Sequence, residues 1–302
     1  MILTGLIFPN LLARCDGNPA CGYTAPIFQR NMVFTKRILA RPELFDAVDV
    51  HFFVYYHFDS AYIDDGLRWV VGQMAQHGYR RPLYSLEWTG ASMLMISIFG
   101  YGDEFIGYFP YSADFANRAE ASAMYKGLDQ PENAVYRRWF EAEQAKEFGK
   151  LFTNMLALGV RRLVHVRYND YYDGGNWDNV WWNWQGAIKY VGGVAIRKPS
   201  YYTYNLFSER LFGFSGARRI EQGSGIRLYE FTFAAREPVY VLWSDGAGAT
   251  LDLSSAVGRP SLRVTHVVTE LDAANQAVVE PEETVPSSAV PAGDVPVLLE
   301  GR

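Results

Sequence analysis

The run Arg81-Pro82-Leu83-Tyr84-Ser85-Leu86-Glu87-Trp88-Thr89-Gly90 is short and apolar, and it delivers a single carboxylate at its end. A Glu at the carboxyl end of a buried strand stands where parallel α/β folds place reacting groups. Trp88 beside it offers a flat apolar face of the kind a sugar ring stacks on. Such a carboxylate suits attack on, or protonation of, a glycosidic bond, chemistry that requires a second carboxyl nearby. The alternative for Glu87 is a solvated side chain at a strand-to-helix turn.

Other candidates sit at similar places. His51 closes an apolar run, Phe45 to Phe53, where it either bonds a substrate hydroxyl or is a satisfied structural histidine. Tyr55 and Tyr56 follow it and either line a pocket or wedge between helices. The stretch from Arg167 to Trp184, with Asp170 and Trp177 within it, alternates rings with amides and acids. Rings take the C–H faces of a sugar while Asn, Asp and Arg take its hydroxyls, so Arg167, Asp170, Trp177 and Trp88 are candidate subsite residues. The competing role for that stretch is a packed loop. Asp103, Glu104 and Asp114 lie in the connection after Glu87, but nothing in their spacing marks one as an acid.

The elements that must position these residues follow from periodicity. Strands are predicted at 2–8, 46–53, 82–87 and 161–168, alternating with helices near 26–40, 61–77, 138–158 and 200–212. The helix at 138–158 reads most clearly, with Phe148, Leu151, Phe152, Met155 and Leu158 at helical spacing, charged residues mostly elsewhere, and Gly159 to end it. Repeated strand-helix units imply a parallel sheet, open or closed into a barrel. After about Phe214 the pattern turns to short strands: 226–233, 239–243, 250–253, 262–268 and 295–299. That spacing reads as an antiparallel sandwich, with Pro281, Pro286, Pro291 and Pro296 at edges and turns.

Composition limits the partners. The 302 residues are 49% hydrophobic, enough for a substantial core, and the net charge of -5 comes without a basic cluster, so neither nucleic acid nor an anionic membrane is an expected partner. No apolar run is long enough to span a bilayer, and residues 1–30 lack the pattern of a signal peptide. The first residues enter a strand at once, which is expected of a chain whose natural beginning is missing. Gly100-Tyr101-Gly102-Asp103-Glu104 lacks the third glycine and the setting of a dinucleotide loop, and no phosphate-loop lysine occurs. Cys15 and Cys21 are the only cysteines; they either form a small disulfide or stay as thiols. No Cys/His cluster offers zinc four ligands, and the aspartates of 170–178 miss the spacing of an EF-type calcium loop, so no metal or cofactor is expected.

Four segments together resemble the (β/α)8-barrel glycoside hydrolases of the large retaining clan that contains β-xylosidases and β-glucanases. Phe45 to Phe53 with His51 looks like the sixth barrel strand, and Arg81 to Gly90 like the seventh, ending at the nucleophile position, Glu87. Gly159 to Val166 looks like the eighth strand, and Lys198-Pro199-Ser200-Tyr201-Tyr202 like the start of the last helix. The resemblance implies an α/β fold, a partial (β/α)8 (TIM) barrel of strands five to eight over 1–213, followed by a small antiparallel β-sandwich over 214–302. It also implies a glycoside or oligosaccharide substrate, and a family that is often secreted or periplasmic. The family's acid/base is a Glu preceded by Asn on the fourth strand, and no Asn-Glu pair occurs here. The expectation is therefore a chain with impaired glycosidase activity, completed by self-association or by a separate amino-terminal half-barrel. The alternative is a non-catalytic carbohydrate-binding or structural protein derived from such a barrel.

Overall fold

A computed structural model of the chain describes residues 2–7, 12–13, 15–17, 26–53, 61–89, 110–165, 169–170, 184, 186–191 and 193–302. Its elements, in order, are β1 (Ile2–Ile7), α1 (Pro26–Leu39), β2 (Ala47–Phe53), α2 (Ala61–Gln76), β3 (Leu83–Thr89), α3 (Arg118–Lys126), α4 (Ala134–Ala157), β4 (Val160–His165), β5 (Ile188–Val191), β6 (Val194–Arg197) and α5 (Pro199–Leu211). They continue as β7 (Gly216–Ile220), β8 (Ile226–Thr232), β9 (Val239–Ser244), β10 (Ala249–Leu251), α6 (Ser254–Val257), β11 (Ser261–His266), β12 (Glu283–Pro286), β13 (Val290–Ala292) and β14 (Val297–Gly301). The protein is thus mixed α/β, with one parallel sheet and a larger antiparallel one. Two compact units divide it: β1 to β3, α1, α2, the last turn of α4 and β4 form the first, and the other described elements form the second.

In the first unit the strands lie in the order β1-β2-β3-β4, every neighbour parallel, with no reversal of direction along the sheet. Val48 and Val50 of β2 are fully buried, as are Leu39, Val70 and Met74 of the helices. Ile63, Leu67, Val70 and Met74 recur every three or four residues on α2, which is how one face of a helix is buried against a sheet. Each such side chain contributes about 1.5–3 kcal/mol on burial. Cys15 packs with Leu12, Met32 and Trp69 and is disulfide-bonded, in a sequence whose only other cysteine is Cys21; Cys21 lies outside the described residues.

β3 continues past Glu87 to Thr89, two residues beyond the predicted end of the strand, because Trp88 and Thr89 pair with Phe52 and Phe53 of β2. Its register slips on both sides just before Trp88, and against β4 also between Leu83 and Tyr84, where β4 carries the extra residue. Asp49 aligns with Tyr84 but Phe52 with Trp88, and on the opposite neighbour Leu163 aligns with Ser85 but His165 with Trp88. One extra β3 residue thus lies between Tyr84 and Trp88 in the β2 ladder and between Ser85 and Trp88 in the β4 ladder, a β-bulge that takes in Leu86 and Glu87.

In the second unit a six-stranded antiparallel sheet runs β12-β11-β14-β9-β8-β7, and β10 pairs with β13 as a separate ribbon. Leu228, Tyr240, Leu242, Leu262, Val264 and Leu299 from the sheet share one core with Val290 and Ala292 of the ribbon. The prolines fall as expected: Pro286 ends the edge strand β12, and Pro291 lies in the two-stranded ribbon. α4 is buried around more of its circumference than its periodicity suggests. Glu141, Glu143, Gln144 and Glu147 are buried along with Phe148, Leu151 and Met155, each acid meeting a lysine. Gly159, at φ +93°, ends the helix as its position predicts.

Candidate functional site

The first cluster forms where β2 meets the bulge of β3. A bulged residue loses its ladder partner, yet a buried backbone N–H must still be satisfied. Here the Leu86 amide donates to Asp49 Oδ1 at 2.8 Å, a side-chain carboxylate replacing the missing backbone acceptor. The second oxygen of Asp49, Oδ2, takes the Nε2–H of His51 at 2.8 Å. An ionised carboxylate only accepts, so Nε2 carries a proton in this bond. Asp49 is 2% exposed, and the His51 side chain 12%. Strand alternation explains the pair: residues 49 and 51 of β2 point to the same face.

Glu87 and Trp88 therefore lie in and directly after the bulge, level with His51 and Phe52 on one side, and Trp88 with His165 on the other. Tyr55, Arg167, Trp177, Asp103 and Glu104 lie outside the described residues. Asp114 is exposed and accepts from Tyr136 Oη at 2.9 Å. Sequence reasoning missed Asp49. Its signal was an acid in the middle of Val48-Asp49-Val50, inside a run otherwise fit for a core.

The second cluster lies in the second unit and contains Asp170. Its carboxylate is buried, with Oδ1 accepting from Lys198 Nζ at 2.9 Å and from the Gly186 amide at 2.9 Å. Lys198 Nζ also donates to the Trp184 carbonyl at 2.9 Å. An ammonium 2% exposed thus joins residues on either side of 171–183. Gly186 permits this approach, since a Cβ there would lie 2.1 Å from the Asn169 and Asp170 backbone. Beside them Lys189 pairs with both oxygens of Glu141, at 2.7 and 2.9 Å, and Ser200 donates to Gln144 Oε1 at 3.2 Å. Tyr125, Leu128, Arg137, Phe140, Glu141, Gln144, Trp184 and Lys198 line a cavity of about 20 Å³, room for a single water.

Burial governs the electrostatics of this cluster. It pushes the Asp170 carboxyl up to about 6, against the opposing pull of Lys198. Desolvation also lowers Lys189 despite its Glu141 partner. The Tyr125 hydroxyl is raised by full burial and then by the negative charge of Asp170. Asp170 Oδ2 and Tyr125 Oη have no hydrogen-bond partner among the described residues. Those residues hold no group of three or more His, Cys, Asp or Glu able to ligate a metal, and no helix among them is long and apolar enough to cross a membrane.

No protein-family model matches the sequence, and no curated protein matches it. Among solved structures, the chain is similar to a GH51 arabinofuranosidase from Xanthomonas axonopodis pv. citri, at 13% identity and a TM-score of 0.45, covering 94% of this chain and 64% of that one. It is also similar to a family 39 glycoside hydrolase from Bacteroides cellulosilyticus WH2, at 12% identity and a TM-score of 0.40, covering 92% and 63%. A third likeness is to a glucosidase from Croceicoccus marinus, at 11% identity and a TM-score of 0.44, covering 88% and 57%. The chain spans less than two thirds of the length of each.

Proposed function

We propose that this chain carries the nucleophile portion of a retaining glycoside hydrolase acting on β-linked saccharides. Glu87 is the nucleophile, and His51, Tyr55, Trp88, Arg167 and Trp177 belong to the sugar site. Asp170 is buried and ion-paired with Lys198. The observation that carries this reading is the bulge at Leu86–Glu87. Bulges re-aim side chains beside active sites, and this one falls on the residue that the strand's chemistry singles out. The unreversed order β1-β2-β3-β4 supports assigning residues 1–213 to strands five to eight of a barrel, since open doubly wound sheets reverse direction at a switch point. Residues 214–302 are then its appended β-sandwich.

In the first step the Glu87 carboxylate bonds to the anomeric carbon as the glycosidic C–O bond breaks, and the leaving oxygen takes its proton from a second carboxyl. No Asn-Glu pair supplies that acid here. Substrates whose leaving group departs without a proton, such as 2,4-dinitrophenyl β-glycosides, should therefore react, while alkyl glycosides and oligosaccharides stay nearly inert. A panel of both kinds tests the proposal. Slow release of dinitrophenolate, lost in Glu87→Gln, is the expected result, and equal inertness of every substrate opposes it. The missing Asn-Glu pair also favours a second reading, a carbohydrate-binding protein without chemistry, in which saturable oligosaccharide binding survives Glu87→Gln with no dinitrophenolate released.

A further inference from the structure

We infer that Asp49 is a positioning residue for the reaction proposed above, setting both the backbone at Glu87 and the tautomer of His51. The inference rests on the assignment of Glu87 as nucleophile, but its geometry stands apart from it. One buried carboxylate takes two donors from two strands: the bulged Leu86 amide at 2.8 Å and His51 Nε2–H at 2.8 Å. The backbone ladder fails between Asp49 and Phe52, so Asp49 is the described link between β2 and β3 where their register slips. The amide it holds belongs to the residue immediately before Glu87.

The consequence is mechanical and electrostatic. A bulged strand bends and re-aims its side chains, so an unfixed bulge beside Glu87 would leave its direction unset, and misplacing a reacting atom by about 1 Å costs on the order of 100-fold in rate. Asp49 removes that freedom from Leu86, and through its other oxygen it holds the protonated Nε2 of His51 toward itself, so that Nδ1 faces away. Both effects need a carboxylate. Asparagine keeps an acceptor for the Leu86 amide but offers His51 a donor in place of an acceptor, which inverts the tautomer.

The test uses the full chain and two variants, Asp49→Asn and Asp49→Ala. Site-resolved hydrogen exchange is read first: in Asp49→Ala the Leu86 and Glu87 amides should exchange at least tenfold faster, while amides of α2 are unchanged. In Asp49→Asn, Leu86 should stay protected and the proton on His51 should move from Nε2 to Nδ1, read by imidazole nitrogen NMR. Inactivation by a 2,4-dinitrophenyl 2-deoxy-2-fluoro-β-glycoside is read second. Its maximal rate should fall at least tenfold in Asp49→Asn with half-saturation unchanged, a split that general loss of structure would not give. Unchanged Leu86 exchange in Asp49→Ala, or an unmoved His51 proton in Asp49→Asn, overturns the inference. Failure of the wild-type chain to label at Glu87 overturns the proposed function instead, and the exchange and tautomer readings still decide the role of Asp49. Should Asp49→Ala not fold, the tautomer reading in Asp49→Asn decides.

Discussion

Replacing Asp170 with Asn should make the variant gain stability on the wild-type chain as pH rises. The carboxyl is buried, and its folded-state value is about 6 against an ordinary 3.8. The shift of about two units corresponds to about 3 kcal/mol. Because the folded value is raised, the folded state binds the proton more tightly than the unfolded chain. The contribution to stability is then fully present below about pH 4 and is lost as pH rises through about 6. Lys198 offsets part of the cost of burying the charge, but Asp170 Oδ2 has no hydrogen-bond partner among the described residues, and desolvation prevails. Asparagine preserves the size and an acceptor for Lys198 and the Gly186 amide, and it does not titrate. Any fixed cost of facing Lys198 with an amide appears as an offset at pH 4. What the structure dictates is the change in that offset: between pH 4 and pH 7.5 the variant should gain about 2.5 kcal/mol on the wild-type chain. Urea unfolding at half-unit pH intervals measures it. A wild-type chain that instead gains on Asp170→Asn as pH rises would show that the Lys198 pair outweighs burial, and the reasoning would fail.

Three further outcomes follow from the same structure. Tyr125→Phe deletes a hydroxyl that is buried without a partner among the described residues, so the urea midpoint should stay level or rise by the equivalent of about 1 kcal/mol; a clear drop would point to an ordered water in the adjoining cavity. Gly186→Ala drives a Cβ to 2.1 Å from the Asn169–Asp170 backbone and should cost more than about 2 kcal/mol, measured by thermal unfolding; near-neutrality would contradict the close approach. Gly149→Ala meets Phe207 and Pro296 at 2.9 Å, in side chains able to shift, and should cost about 1–3 kcal/mol in the same assay.

Much of the fold is legible in the residues. α2 and α4 announce themselves by three- and four-residue spacing of apolar side chains, and β2, β3, β8 and β9 by apolar runs between turn residues. α3 escaped because nine residues at 118–126 give a weak stripe inside a long polar connection, and the β5–β6 hairpin because its exposed face carries Tyr190, Val191 and Val194 and breaks the alternation. The site was half legible. Glu87 and His51 stand out in the sequence near the ends of apolar runs, although β3 and β2 each continue two residues beyond them, and the bulge is not readable there, since it exists only in the pairing of β3 with both neighbours. Glu141 reads as a surface acid on a helix until Lys189, 48 residues away, is seen beside it. Lys198 likewise looks like a residue before a helix-starting proline, yet it is the ammonium that joins Asp170 to Trp184.

The central claim is that Glu87 forms a bond to sugar, and mass spectrometry tests it most directly. The purified chain is incubated with a 2,4-dinitrophenyl 2-deoxy-2-fluoro-β-glycoside, and the intact mass and the proteolytic peptides are measured. One fluoroglycosyl group on the peptide containing Glu87, absent in Glu87→Gln, is the expected result. A label on another carboxylate, or no label across glucosyl, xylosyl and galactosyl reagents, would contradict the account.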